Sequence, residues 1–125
     1  MPRDAAAADV ATAVREAELV YFCAQCGRLV TRAAWRLSMN GAHEHVVFNP
    51  AGIVFRVACF KEAPGAIAIG AASGEFTWFK GWDWRMAACA GCNAHLGWRY
   101  EGDPAPQVFF GLIGAMLVPG PDRQE

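Results

Sequence analysis

The sequence predicts a single, mostly-β domain. From Leu19 onward, short runs rich in β-branched and aromatic residues are separated by glycines, and no stretch beyond residue 18 has a sustained 3.6-residue hydrophobic period. Residues 46–48 and 53–57 flank the segment Asn49-Pro50-Ala51-Gly52, whose proline and glycine suit the second and fourth positions of a type I turn. These observations predict a β-hairpin within a domain that contains little helix.

Three further strands are expected from the same pattern, at residues 66–69, 96–100 and 107–110. Residues 1–18 are rich in alanine but have no clear apolar stripe, so we expect a flexible or partly helical N-terminal lead-in there. No linker divides the rest of the chain, and the predicted domain covers residues 19–122.

The composition is that of a globular protein without a strong charge. Of the 125 residues, 54% are hydrophobic and 18% are charged, and the formal net charge is −1. No run of Lys and Arg suggests a nucleic-acid or acidic-membrane partner. Charges throughout residues 1–18 argue against a secretion signal, and the longest apolar stretch, residues 108–118, is too short to span a bilayer. The expected location is therefore the cytoplasm.

Two cysteine pairs predict one structural zinc ion. The motifs are Cys23-Ala-Gln-Cys26-Gly27 and Cys89-Ala-Gly-Cys92-Asn93. Each pair can bind half of a tetrahedral site when its turn is tight, and the Gly or Asn that follows favours the positive φ that such a turn needs. Four thiolates leave no open position for water or substrate, so we expect the zinc to pin two remote hairpins together rather than to catalyse a reaction.

The remaining candidate ligands and thiols have plainer interpretations. Redox-active dithiols are the alternative for the two pairs, but neither pair precedes a helical pattern that would lower a thiol pKa. Cys59 is interpreted as a buried, inert thiol. His43 and His45 share a strand face and could bind a second metal, although a solvated hairpin face with Glu44 opposite is the favoured interpretation. His95 could compete as a metal ligand, but a fourth cysteine makes it unnecessary.

Four of the five tryptophans fall within residues 78–98, beside the second cysteine pair. If these segments are strands, period-2 alternation places aromatic residues on common faces: Phe76 with Trp78, Trp82 with Trp84, and Trp98 with Tyr100. Either a plain core cluster or an aromatic pocket for a flat ring or a cation accounts for so many rings. The residues alone leave these two interpretations open.

The order of these motifs resembles a known family. Trp78 and Trp84 precede the second cysteine pair, and the string Cys92-Asn-Ala-His-Leu-Gly-Trp98 follows from it. Together with the Asn49–Pro50 turn and the first cysteine pair, this pattern is similar to the thalidomide-binding domain family of cereblon, also called the CULT domain. The resemblance extends over about residues 19–119, and it points to the free-standing, bacterial-type members of the family.

The resemblance implies a β-tent of two antiparallel sheets pinned by zinc, with a cage of three tryptophan walls and a tyrosine floor. The ligand-binding residues it implies are Trp78, Trp84, Trp98, Phe76, Tyr100, Asn49 and Pro50. The backbone C=O of Phe76 would accept the N–H of an imide, and the N–H of Trp78 would donate to a ring carbonyl. The implied ligands are the glutarimide ring of thalidomide-type drugs, C-terminal cyclic imides on proteins and, more weakly, uridine-like rings.

The chain also departs from the family's pattern. Phe76 replaces a histidine found in vertebrate relatives and Tyr100 replaces a phenylalanine, which bears on the ranking of ligands. No Lon-like domain or adaptor-binding segment is recognisable, so we expect no ubiquitin-ligase function from this chain. The favoured function is a non-enzymatic binding module. The alternatives are an oxidoreductase of the methionine sulfoxide reductase B type, for which no cysteine follows Cys92, and a protein-interaction domain with the tryptophans as core.

Overall fold

A computed structural model describes residues 18–122. The lead-in predicted for residues 1–18 falls, apart from Glu18, outside them. The described residues form nine strands and two short 3-10 turns, Ala33–Trp35 and Gly114–Met116. The strands are β1 Val20–Cys23, β2 Leu29–Arg32, β3 Glu44–Phe48, β4 Val54–Phe60, β5 Ala66–Ser73, β6 Trp82–Cys89, β7 His95–Gly102, β8 Val108–Ile113 and β9 Leu117–Gly120.

The strands assemble into two antiparallel sheets. The smaller sheet has the order β2-β1-β9, and the larger has the order β3-β4-β8-β7-β6-β5. All pairs are antiparallel, and most sequence neighbours within a sheet are joined by short turns. The predicted fold class, mostly β with two antiparallel sheets, is confirmed.

The predicted β-hairpin is formed by β3 and β4. Phe48 lies opposite Val54, and the turn between them is closed by a hydrogen bond from the N–H of Gly52 to the carbonyl of Asn49. Gly52 has a φ of +85°, a conformation that few other residues adopt readily. The Asn49 side chain also accepts a bond from the N–H of Ile53, which orients the turn.

The interpretation of residues 76–78 as part of a strand is wrong. β5 ends at Ser73 and β6 begins at Trp82, and the residues between them form a loop in which Phe76 has a φ of +57°. The Thr77 hydroxyl fixes this loop by donating to the carbonyl of Trp82 at 2.7 Å. The period-2 pattern is misleading in this segment because its conformation is set by local hydrogen bonds and not by a sheet ladder.

Two buried clusters form the core. The first contains two of the paired cysteines and packs mainly aliphatic residues, with Leu96 and Leu112 fully buried. The second is aromatic and is centred on Phe79, Tyr100 and Phe109. In the part of the chain that the structure describes, no helix is long and apolar enough to cross a membrane.

Candidate functional site

The four paired cysteines converge at one point between the two sheets. Cys23 ends β1 and Cys89 ends β6, and each partner cysteine lies in the turn that follows. All four Sγ atoms lie within 4.8 Å of one another, and no other group of three or more candidate metal ligands forms among residues 18–122. The predicted convergence of the two pairs is therefore observed.

The two turns have the same construction. In the first, the N–H of Gly27 bonds to the carbonyl of Cys23, and in the second the N–H of Asn93 bonds to the carbonyl of Cys89, both at 2.8 Å. Gly27 and Asn93 have φ values of +81° and +66°, as expected from the residue types. Each turn thus directs two sulfurs towards the same point.

The sulfur spacing fits a tetrahedral ion. Cys23 and Cys92 have their Sγ atoms 3.7 Å apart, and Cys26 and Cys89 have theirs 3.6 Å apart. A metal–sulfur distance of about 2.3 Å requires sulfurs roughly 3.8 Å apart in a regular tetrahedron. Burial would raise the pKa of the Cys89 thiol, but backbone N–H donors of Cys92 and Gly91 and the neighbouring thiols lower that pKa to about 7. Cys89 is therefore favoured as a thiolate, the form that binds metal. At Cys26 a backbone hydrogen bond with Arg28 lowers the pKa, but desolvation and the neighbouring thiols outweigh it and raise that pKa to about 11.

A cavity of about 430 Å³ opens on one face of the larger sheet. It is lined by Asn49, Pro50, Phe55, Phe76, Trp78, Trp84, Met86, His95, Trp98 and Tyr100. All seven residues that the family resemblance implicated in ligand binding lie on this lining. None of the lining residues carries a carboxylate, an ammonium or a guanidinium group. The cavity is thus an uncharged, largely aromatic pocket of a size common for small-molecule sites.

Indole hydrogen bonds hold two of the tryptophans in place. The Nε1 of Trp78 donates to the carbonyl of Phe48 at 2.9 Å, which ties the loop after β5 to the β3–β4 hairpin. The Nε1 of Trp84 donates to the carbonyl of Glu75 at 2.7 Å, which ties β6 to the same loop. Since both N–H groups are satisfied away from the cavity, the indole faces can line it.

Trp98 lies at the centre of the aromatic lining. Its ring meets that of Trp78 at 86° with centroids 4.7 Å apart, and that of Phe55 at 79° and 5.2 Å. Beneath it, Tyr100 is 1% exposed and stacks on Phe109 at 4.8 Å. Edge-to-face contacts also occur in filled cores, so what distinguishes these tryptophans is the cavity of about 430 Å³ that their rings line. This arrangement supports the pocket interpretation of the tryptophans over a filled core.

His95 reaches the pocket because of a β-bulge. The register between β6 and β7 shifts so that Trp98 lies opposite Met86 while His95 lies opposite Ala88. Residues three apart on a regular strand point to opposite faces of the sheet. Here β7 has one extra residue between His95 and Gly97, and the side chains of His95 and Trp98 therefore point to the same face. Their rings are in contact, with centroids 4.9 Å apart at 87°. The bulge depends on Gly97, where an added Cβ would lie 2.2 Å from the carbonyl oxygen of Gly111.

The protonation state of His95 follows from its surroundings. Its Nε2 lies 3.0 Å from the carbonyl oxygen of Gly97, which can only accept, so Nε2 carries the hydrogen. Burial lowers the pKa of His95, and the bond to Gly97 offsets this only in part. The ring is therefore neutral near pH 7 and adds no charge to the pocket.

The backbone at the pocket rim has open hydrogen-bonding groups. Among the described residues, nothing bonds to the carbonyl oxygen of Phe76 or to the backbone N–H of Trp78. These two groups lie on either side of Thr77, and Phe76 itself has a φ of +57° and a side chain that is 71% exposed. One acceptor and one donor are thus available two residues apart at the edge of the cavity.

The other candidate residues lie away from this pocket. Cys59 is fully buried in the aromatic cluster, and burial raises its pKa to about 12, so it is an inert thiol as predicted. His43 and His45 are half-buried rather than solvated, because each bonds to a backbone carbonyl and packs edge-on against a phenylalanine, while Glu44 is exposed. His95 is not part of the cysteine group.

Three residues of the pocket lining are not indicated by the sequence pattern. Met86 could have been predicted to face the pocket, because it lies two residues after Trp84 on the same strand. Phe55 could be placed on a strand but not over the pocket, since that requires knowledge of how the β3–β4 hairpin folds back. His95 could not be assigned, because its orientation depends on the bulge at Gly97.

Comparison with known proteins supports the family resemblance. No protein-family model matches the chain. It is similar to cereblon of Xenopus tropicalis, with 35% identity over 83 residues, and to cereblon of Drosophila erecta, with 30% identity over 107 residues. These matches cover 62% and 80% of this chain, but it spans only 19% and 18% of the length of the two relatives. Cereblon of Danio rerio is 34% identical over 74 residues, which is 57% of this chain and 17% of that protein.

Proposed function

This chain carries a cereblon-type domain, and from that premise we propose that its aromatic pocket binds cyclic imide rings of the glutarimide type. The proposed function is binding alone, without catalysis of a reaction on the ring. The observation that carries the proposal is the pairing of an uncharged tryptophan slot with two open backbone groups at its rim. A free-standing, bacterial-type origin and a cytoplasmic location stay predictions from the sequence.

The chemistry of an imide matches the pocket. Its edge presents a carbonyl, an N–H and a second carbonyl in line, so the N–H can donate to the Phe76 carbonyl while one ring oxygen accepts from the Trp78 N–H. Its aliphatic ring carbons suit the faces of Trp78, Trp84 and Trp98. Tyr100 would form the floor, and Asn49 and Pro50 at the hairpin turn would contact groups that project from the ring. Thalidomide-type drugs and C-terminal cyclic imides of proteins are the ligands of this chemistry, with uridine-like rings weaker.

Because no lining residue is charged, the pocket should also bind a cyclised C-terminus in preference to an ordinary C-terminal carboxylate. A free C-terminal carboxylate would lose its hydration in an apolar pocket that offers no cation. Cyclisation to an imide consumes that carboxylate and makes the chain end neutral. The pocket is therefore suited to the cyclised end alone.

We further propose that the four cysteines hold one structural zinc ion. The set of four thiolates and the sulfur spacing are those of a closed zinc site, in which no position remains for a reacting molecule. Zinc bound there would join the β1–β2 hairpin of the smaller sheet to the β6–β7 hairpin of the larger one. Metal analysis of freshly purified, reduced protein should find one equivalent of zinc, and a substoichiometric amount would contradict the assignment.

The structure offers no support for the oxidoreductase alternative. A reductase of that type needs an accessible nucleophilic thiol besides the metal ligands, and the remaining cysteine, Cys59, is fully buried with a raised pKa. The protein-interaction alternative with the tryptophans as filled core is disfavoured by the cavity that they enclose.

The direct test is a titration followed by tryptophan fluorescence. Glutarimide should cause a saturable change in emission, because Trp78, Trp84 and Trp98 all face the cavity. N-methylglutarimide is the matched control, since it keeps both carbonyls but cannot donate to Phe76 and adds a methyl group at the rim. Losing a hydrogen bond at a desolvated site costs about 1–3 kcal/mol, so we expect at least about a fivefold weaker affinity. Equal responses, or no response to either compound, would contradict the proposal.

A further inference from the structure

An exposed apolar surface adjoins the pocket on the side of β5. It consists of Ile67, Ile69 and Met86, whose side chains are 45%, 41% and 37% exposed; we call these three residues the β5 surface. Met86 also lines the pocket, so the surface begins at the pocket mouth. Exposed apolar groups that are contiguous with a binding site commonly belong to it.

Strand register places the β5 surface on the pocket face of the sheet. Ile69 lies opposite Met86, which lies opposite Trp98, so these three side chains form one row across β5, β6 and β7. Ile67 lies opposite Ala88 in the next row, and Ala88 lies opposite His95. Directly opposed residues of an antiparallel pair share a face, and both rows are therefore continuous with the aromatic lining.

No charged group belongs to either row. Arg85 is on the opposite face of β6, where its Nε donates to the carbonyl of Gly70 and its guanidinium pairs with Glu101. His95 is neutral near pH 7 because burial lowers its pKa. The surface thus offers contact to apolar side chains and no partner for a charged or strongly polar one.

The dimensions match a short peptide. Adjacent strands are about 4.8 Å apart, so the row from Trp98 to Ile69 spans roughly 10 Å. An extended chain covers about 3.3 Å per residue, and the same distance therefore corresponds to about three residues. A polypeptide whose cyclised end occupied the pocket would have Asn49 and Pro50 on one side of the pocket mouth and Met86 on the other. Leaving over Met86, it would place its preceding side chains on Ile69 and Ile67.

We propose that the β5 surface binds the two or three residues that precede a C-terminal cyclic imide and selects apolar side chains among them. This inference rests on the proposed function, because the ring must occupy the pocket for those residues to reach Ile69. Its consequence is that the protein distinguishes chain ends by sequence as well as by the presence of the imide.

The test uses peptides that end in 3-aminopiperidine-2,6-dione, the glutarimide formed by a C-terminal glutamine. One peptide carries Gly-Leu-Val before the ring, a second carries Gly-Ser-Ser, and the acetylated ring alone is the third probe. Packing two aliphatic side chains on half-exposed isoleucines should make the Leu-Val peptide bind about three- to tenfold more tightly than the Ser-Ser peptide. Ile69→Ser and Ile67→Ser should remove most of this difference and leave the affinity for the ring alone unchanged.

Val118→Ser is the matched control, since Val118 is 48% exposed on β9 of the other sheet. It should keep the full preference for Leu-Val. Equal affinity for the two peptides, or a preference that survives both isoleucine substitutions, would overturn the inference while ring binding upheld the proposed function. Absence of binding by the ring and both peptides would overturn the two together. Concentration-dependent dimerisation that Ile69→Ser abolishes would instead assign the surface to a second copy of the chain.

Discussion

The cysteine end and the pocket end of the molecule have cores of different character. Around Cys23 and Cys89, aliphatic side chains such as Leu96 and Leu112 are fully buried. Around Trp98 and Tyr100, rigid rings meet at steep angles and leave a cavity of about 430 Å³. The first region is closely packed, whereas the second is stable in spite of an unfilled space. We therefore expect the stability of the domain to depend more on the cysteine end than on the pocket end.

One strand connects the two regions. β7 places Leu96 in the aliphatic cluster and Trp98 in the aromatic one, although residues two apart on a regular strand would share a face. The bulge at Gly97 reverses the orientation between them. A disturbance at the cysteine end should therefore be transmitted to the pocket.

The largest expected effect is that of removing the proposed zinc ion. Cys89→Ser, or a chelator in excess, should unfold the domain, because metal binding of this type contributes on the order of 10 kcal/mol to folding. Far-ultraviolet circular dichroism and imide binding should be lost together. Cys59→Ala removes a thiol from the aromatic cluster and should retain both the metal and the fold. A metal-free protein that still bound glutarimide with full affinity would break the proposed dependence of the open end on the closed one.

Gly97→Ala should cause the next largest effect. An added Cβ would collide with the backbone of β8, and the φ of +152° lies where L-residues are strained, so we expect a loss of about 2–4 kcal/mol in unfolding free energy. Denaturant titration measures this loss. Gly52→Ala is the control, since Gly52 also has a positive φ but a Cβ added there would meet nothing within 4 Å. Similar losses in the two variants would show that conformation, and not the close approach of β7 and β8, makes Gly97 necessary.

Trp84→Ala should separate binding from stability. Its ring is half-buried at the cavity, so truncation should weaken glutarimide binding at least about 30-fold while the unfolding free energy falls by less than about 2 kcal/mol. Metal content should not change. Trp35→Ala, at a half-buried tryptophan beneath Arg32 and outside the cavity, should leave binding intact. If Trp84→Ala instead released the metal or unfolded the protein, the tryptophans would be core residues.

Much of this architecture could be predicted from the sequence, because the informative signals were local. The glycine or asparagine after each cysteine pair indicated the turn that forms, and Asn49-Pro50 with Gly52 indicated the hairpin. The faces on which Trp84, Trp98 and Tyr100 lie could be predicted from the alternation of side chains, because these residues are in segments that do form strands. The family resemblance then implied that separate segments meet at one cavity, and the structure brings all seven residues there.

What could not be predicted depends on contacts between distant segments. The loop that carries Phe76 and Trp78 has the alternation of a strand, because nothing in its composition reveals that Thr77 and two indole N–H groups fix it by hydrogen bonds. The role of Gly97 depends on how closely β8 approaches it, which no local pattern encodes. The half-buried states of His43 and His45 likewise result from packing against Phe60 and Phe79.

The smallest expected effect concerns pH, and it tests whether the pocket is kept uncharged at a cost in stability. Burial lowers the pKa of His95 below its ordinary value of 6.5. Just below pH 6.5 the unfolded chain therefore binds more protons at His95 than the folded chain does. The stability that the folded protein has with neutral His95 is complete above pH 6.5 and is lost progressively as the pH falls below that value. Unfolding free energy should decrease slightly from about pH 7.5 to about pH 6, and His95→Gln should flatten that part of the profile. Acid also releases metal from thiolates, so metal content must be constant over the range. An identical slope in the variant would assign the effect to the cysteine end.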